Sequence, residues 1–162
     1  MPELVINTGP VIALTAALGD LSVLDVLYER VVIPQEVFRE LESGGVQSTE
    51  IELLRRLSSV EFVPEATLLP SLLEAELDPG EASVIQTAVN REILLVAIDE
   101  KQGRRIARLN QRKVTGSIGI LMKGHRVGCV QDVLACLGKM RNSGVWISDN
   151  LEAAVRAELD GY

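Results

Sequence analysis

The stretch Ile93-Leu94-Leu95-Val96-Ala97-Ile98-Asp99-Glu100 decides the fold class. Its first six residues form a short continuous apolar run, the strongest strand candidate in the chain, and an acid stands directly at its carboxyl end. Downstream, a basic helix is expected to about Asn110, then a short Val114-Thr115 strand, then a Gly116-Ser117 turn opening a helix through Ile118 to Met122. Upstream, Asp78-Pro79-Gly80-Glu81 opens a helix that continues through Val84, Ile85, Ala88 and Val89, and Leu68 to Leu77 is an apolar helix candidate before it. The same alternation holds further out. Leu4 to Ile6 reads as a strand closed by Asn7-Thr8-Gly9-Pro10, with Val11 to Leu18 at helical spacing behind it. Leu21, Leu24, Leu27 and Tyr28 recur at steps of three and four, and Val31-Val32-Ile33 forms a β-branched run before Pro34, a residue suited to the first turn of a helix. That helix turns Val37, Phe38 and Leu41 inward and stops at Gly44-Gly45; Thr49 and Glu52 have capping-box spacing ahead of Ile51, Leu54 and Leu57; Val60 to Val63 reads as strand. After His125 come Val130, Val133, Leu134 and Leu137, then Val145-Trp146-Ile147 and an acidic helix from near Ser148. Strands alternating with helices favour a parallel sheet, because parallel neighbours need crossover connections and these are usually helical. With no repeat, linker or low-complexity segment, the expectation is an α/β fold forming a single domain over residues 1–162.

Composition narrows the function classes. At 162 residues a domain buries roughly 68–70% of the surface its unfolded chain exposes, so neither disulfides nor a structural metal are needed for a core. With 47% hydrophobic and only 3% aromatic residues, that core must be aliphatic. Cys129 and Cys136 are seven apart, poorly placed for bridging, and are expected to be buried thiols. The apolar runs fall far short of the ~20 residues a membrane span needs, and Met1-Pro2-Glu3 does not open a signal segment. The expectation is a cytoplasmic protein without membrane contact. A net charge of −7 argues against indiscriminate nucleic-acid binding. The charge is uneven, however: no Asp or Glu occurs from Lys101 to Gln131, while Lys101, Arg104, Arg105, Arg108, Arg112, Lys113, Lys123 and Arg126 are half of the 16 basic residues. This run is either a solvated helix face or a phosphate-facing flank.

In open parallel sheets, ligands gather beyond the carboxyl ends of the strands. Asn7 and Asp99 stand at two such ends, and Glu40 and Glu81 on the helices that follow are the acids placed to join them. Oxygen ligands of this kind suit Mg²⁺ or Mn²⁺, which are usually held by one or two carboxylates together with waters and substrate phosphate. The lone His125 and the lack of a Cys/His cluster disfavour zinc, and no Walker A loop, GxGxxG or Gly-x-Ser-x-Gly elbow is present. Each candidate also has a plain structural reading. Asp78 and Glu81 have capping-box spacing, Glu40 resembles its solvated neighbours Glu36 and Glu42, Asp99 is placed to cap a helix, and Asn7 suits a turn.

In order along the chain, four segments and a closing Val114-Thr115-Gly116-Ser117-Ile118-Gly119-Ile120-Leu121 resemble the PIN-domain family, in the DUF3368 branch related to VapC-like toxins. The segments are Val5-Ile6-Asn7-Thr8-Gly9-Pro10, Val31-Val32-Ile33-Pro34 through Glu40-Leu41, Leu77-Asp78-Pro79-Gly80-Glu81, and Leu94 to Glu100 with Gly103-Arg104-Arg105. The resemblance implies a three-layer α/β/α PIN-like fold with a central, mostly parallel sheet. It also implies an acidic pocket for Mg²⁺ or Mn²⁺ and hydrolysis of RNA phosphodiesters, often by the toxin of a toxin–antitoxin pair that forms homodimers and is silenced by a small antitoxin protein. The family's acidic positions fall on Glu40, Glu81 and Asp99, and the first-motif Asp is Asn7 here. An amide removes one negative charge from a site where each unit charge is worth a few kcal/mol even at an effective dielectric of ~20.

The expected chemistry is therefore in-line attack on an RNA phosphodiester by a water activated by a divalent ion. Asn7, Glu40, Glu81 and Asp99 form the site, aided by Thr8 or Ser117, and Arg104, Arg105, Arg108, Arg112 and Lys113 position the nucleic-acid backbone. Two rivals stay open: a PIN-fold module that only binds a protein or RNA partner, and a phosphatase acting on small substrates.

Overall fold

The computed structural model describes residues 1–44 and 48–161. Five strands, β1 (Glu3–Ile6), β2 (Arg30–Ile33), β3 (Val60–Phe62), β4 (Leu95–Ala97) and β5 (Lys113–Thr115), form one all-parallel sheet in the order β3-β2-β1-β4-β5. Leu4, Val5 and Ile6 of β1 and Val31, Val32 and Ile33 of β2 are fully buried, the pattern of strands covered by helices on both faces. Two helices, α1 (Thr8–Leu18) and α2 (Ser22–Leu27), carry the chain from β1 to β2, and α3 (Gln35–Ser43) and α4 (Thr49–Arg55) carry it on to β3. The chain then returns past β1. Helices α5 (Ser71–Glu76) and α6 (Pro79–Asn90) lead into β4, and α7 (Lys101–Leu109) leads into β5. Right-handed crossovers running in opposite directions put their helices on opposite faces, which gives the three layers. Helices α8 (Ser117–Arg126), α9 (Val133–Asn142) and α10 (Asp149–Asp160) follow, with α8 and α9 packing against α1.

The strand order reverses between β1 and β4. Leu4, Val5 and Ile6 lie opposite Leu95, Val96 and Ala97, so both carboxyl ends finish level at the point where one connection leaves to each side. That is where an open α/β sheet leaves a crevice.

Local signals mostly act as expected. Asp78 caps α6 by accepting from the Glu81 N–H at 2.8 Å, with Pro79 in the first turn. Gly19 ends α1 in the left-handed region at φ 76°. Several details differ from the sequence reading. The cap of α4 is Ser48, whose Oγ accepts from Ile51 N–H at 3.2 Å, rather than Thr49, because the helix already begins at Thr49. Pro34 is the N-cap of α3 rather than a first-turn residue, and Phe38 is only partly buried. The Gly45 half of the predicted stop lies outside the described residues. The apolar helix expected over 68–77 is the six-residue α5; Pro70 precedes it, and Leu68 and Leu72 are exposed. Strand β4 is shorter than the run 93–98, with Leu94 half in solvent. Cys136 is buried as expected but Cys129 is exposed, just beyond the end of α8. Of the apolar positions near α2, Leu21, Leu24, Leu27 and Tyr28 are core, and Val26 faces out.

Arg112 is structural. Its guanidinium donates to the carbonyls of Ile93 (2.9 Å) and Ala88 (3.5 Å), and its Nε donates to that of Asn110 (3.1 Å), tying the end of α6 and the entry to β4 to the turn before β5. Replacing it with an apolar chain removes the guanidinium donor to the Ile93 carbonyl, while the Ala88 carbonyl keeps the Ile93 N–H at 2.9 Å. Arg112→Met is expected to lower stability by about 2 kcal/mol in urea denaturation and to leave divalent-cation binding unchanged; an unaltered midpoint would show the clamp to be idle.

Candidate functional site

Asn7 follows β1 directly, and its N–H donates to the Ala97 carbonyl at 3.0 Å, continuing the ladder into the crevice. It is the N-cap residue of α1 but makes no side-chain cap bond there, and its Oδ1 is buried with no hydrogen-bond partner. An acceptor orphaned in this way is costly unless something arrives to use it.

Three acids lie at this same end of the sheet, two on helices and one beyond a strand. Asp99, two residues beyond β4, is exposed, and its carboxylate is fixed by the Ser117 N–H (2.8 Å) and the Ser117 hydroxyl (3.0 Å) at the start of α8. Glu40, on α3, is also exposed, and its Oε2 accepts from the Thr8 hydroxyl at 2.7 Å, which draws the acid of one strand connection onto the first residue of α1. Glu81 is buried on the first turn of α6. Its carboxylate turns back toward the Asp78 N–H, as in a capping box, and lies against Gly103, where an added Cβ would sit 3.4 Å from its Cδ. Burial pushes the Glu81 carboxyl up to about 7, and the nearby charges of Asp78, Glu100 and Glu40 push the same way. The capping reading and the crevice reading of Glu81 thus describe the same side chain.

Two glycines make this approach possible. A Cβ at Gly80 would overlap the Glu40 carboxylate, and one at Gly116 would lie 2.5 Å from Asp99 Oδ1.

The basic residues divide. Arg104 reaches the crevice, donating from Nη1 to the Ile98 carbonyl at 2.8 Å; burial lowers its pKa, as does Arg108, while Asp99 opposes the shift. Arg105 and Arg108 are exposed on α7, Arg105 holding the Gln102 side chain at 3.3 Å. Arg112 is spent on carbonyls, as described above. Lys113 opens β5 opposite Leu95, at the amino end of the sheet, so neither Arg112 nor Lys113 faces the crevice. The reason is topological: α7 starts at the crevice and runs away from it, so only the first turns of the basic segment stay near the acids.

Sequence reading overlooked a groove that continues from the crevice. About 570 Å³ in volume, it is lined by Asp99, Lys101 and Ser117 on one side and by Met140, Val145 and Trp146 on another. The available signal was Trp146 itself, the single tryptophan, between two apolar residues that turn inward.

The donors at the crevice are all oxygens, including the orphaned Asn7 Oδ1, which suits a hard cation. Among the described residues, no three His, Cys, Asp or Glu side chains stand close enough together to hold a metal by themselves. The set therefore fits an ion that keeps several waters and takes substrate oxygens, the habit of Mg²⁺, rather than one caged by protein. No helix among the described residues is long and apolar enough to cross a membrane.

Among solved structures, the chain is similar to a PilT N-terminus domain protein, SSO1118, from the hyperthermophilic archaeon Sulfolobus solfataricus P2. The TM-score is 0.55 and the identity 17%, over 75% of this chain and 92% of that one, a likeness of fold. No curated protein matches the sequence. The family model DUF3368, described as a PIN domain, matches residues 3–160. PIN domains are commonly nucleases and typically use divalent metals. With a five-stranded parallel sheet, an acid-lined crevice at its switch point and a family match along nearly its whole length, the chain belongs to the DUF3368 family of PIN domains.

Proposed function

We propose that this PIN domain is a divalent-metal-dependent endoribonuclease that cuts single-stranded or loop RNA. The observation that carries the reading is the buried, unpartnered Asn7 Oδ1 at the switch point, with Glu40, Glu81 and Asp99 on separate elements at the same end of the sheet. Asn7, Glu40 and Asp99 would hold Mg²⁺ or Mn²⁺, with Glu81 adding negative charge from beneath. A bound divalent ion polarises a phosphoryl oxygen and makes a water a better nucleophile at neutral pH. The chain's own contribution is to position the substrate. The first turn of α1 has no acidic residue and no side-chain cap, and α7 likewise begins without a side-chain cap, so both helix N-termini offer N–H groups to an anionic phosphate. Lys101 lines the groove and Arg104 lies at its Asp99 end, adding positive charge where the backbone of a strand would pass.

A second reading, a PIN-fold module that binds without cutting, is favoured by one observation. An amide stands at position 7, where the family pattern has a carboxylate, and this weakens the site's hold on a cation.

Three measurements separate these readings. Asp99→Asn is expected to abolish saturable Mn²⁺ binding in calorimetry and to lower cleavage of a fluorogenic RNA by about a hundredfold or more, while costing at most about 1 kcal/mol of stability. Unchanged cleavage would remove Asp99 from the site. Asn7→Asp is expected to tighten Mn²⁺ binding by about tenfold or more; activity found only in this variant would favour the binding-module reading. The third uses the metal-free protein. Because Glu81 in the fold titrates near 7 instead of 4.5, the native state holds the extra proton, and stability falls as pH rises from about 4.5 to 7. Glu81→Gln should therefore gain up to about 3 kcal/mol relative to the wild type above pH 7, with the advantage shrinking to nothing near pH 4. A pH-independent difference between the two proteins would show that Glu81 carries no such strain.

A further inference from the structure

Trp146 is 84% exposed, in the loop between α9 and α10. Its neighbours explain the position: Ile147 is buried and Val145 packs against the core, so the alternation turns the indole outward. The other described aromatics are otherwise engaged, Tyr28 in the core and Phe38 edge-on to Phe62 at a centroid distance of 5.5 Å. A large flat side chain left in water commonly marks a contact site. Here it stands on the wall of the groove that leads to Asp99.

We propose that Trp146 is a stacking platform for a base of the RNA strand whose phosphate lies at Asp99, an inference that rests on the ribonuclease reading and gives it a substrate contact. The groove has two chemically distinct ends. One offers Lys101 and the N-termini of α1 and α7 beside the acids Asp99 and Glu100, and the other offers Met140 and the indole. A nucleotide has the same two ends, an anionic phosphate and a flat π-face. The volume of about 570 Å³ falls within the range of roughly 300–1,000 Å³ usual for small-molecule sites. An apolar peptide would match only the Trp146 end and would make no use of Lys101, the two helix N-termini or the acids Asp99 and Glu100, whose charge a phosphate-bound cation would balance. Stacking on a single aromatic is tolerant of base identity, so Trp146 holds a strand in register beside the acids without selecting a sequence.

Because the chain has one tryptophan, its fluorescence reports this contact directly. With Ca²⁺ in place of Mg²⁺ or Mn²⁺, and the strand checked by electrophoresis to be intact, a short single-stranded oligoribonucleotide of mixed sequence should quench the emission saturably, and an abasic strand of the same length should quench far less. Trp146→Ala should weaken binding, and raise KM in cleavage with little change in kcat, by about tenfold. Trp146→Tyr should restore most of the loss. Equal quenching by both strands, or an unchanged KM in Trp146→Ala, would overturn the stacking role. So would a dimer that dissociates in Trp146→Ala while RNA binding stays as in the wild type, since the indole would then be covered by a second copy. Cleavage that depends on Asp99 but not on Trp146 removes the platform and leaves the nuclease. Base-dependent quenching without any cleavage removes the nuclease and leaves a strand-binding groove.

Discussion

The pairing of β1 with β4 is the constraint on which the crevice depends. These strands are far apart in sequence and become neighbours only because the chain returns past β1 after building β2 and β3. Their register sets Ile6 against Ala97, and the Asn7 N–H bonded to the Ala97 carbonyl carries the alignment one residue further. A slip along this ladder would separate Asn7 from Asp99 by a strand step of roughly 3.3 Å. Burial of Val5, Ile6, Val96 and Ala97 makes such a slip costly, so the core and the crevice are stabilised by the same contacts.

The crevice opposes charges of two kinds. Glu40, Glu81 and Asp99 bring negative charge together, which a folded protein ordinarily avoids. Helices α1, α7 and α8 all begin here, because in a parallel sheet every crossover helix starts near a strand's carboxyl end, and their N-termini are the positive ends of the helix dipoles. The Ser117 and Thr8 contacts hold Asp99 and Glu40 before any ligand arrives, so little ordering of these side chains is left to binding. Glu81 bears the electrostatic strain, in the manner of functional groups whose titration is displaced by their surroundings.

Much of this was legible in the sequence. The strands β1, β2 and β4 announce themselves as apolar runs, because a strand covered on both faces has no reason to alternate, and the Asp78-Pro79 start of α6 is a local signal that the structure uses directly. Asn7 and Asp99 were findable because they follow such runs. The limits of reading lie where distant contacts decide. Arg112 looked like one more cation in a basic stretch, and only the carbonyls of Ala88 and Ile93, brought alongside by β4, turn it inward. Lys113 was likewise grouped with the crevice by treating a run of charge as one surface, although α7 carries the two ends of that run to opposite ends of the strands. Trp146 was visible only as part of an apolar triplet, since its exposure depends on where α9 and α10 dock.

The close approaches at Gly80 and Gly116 set a condition on the chain that none of its charges reveals. Each glycine is a space that a carboxylate occupies, so the acids depend on atoms that are missing from their neighbours. A methyl group at either position would push Glu40 or Asp99 aside while every acid remained in the sequence. Related chains that keep all the carboxylates but lose one of these hydrogens would therefore pass an inventory of site residues and still have a different crevice.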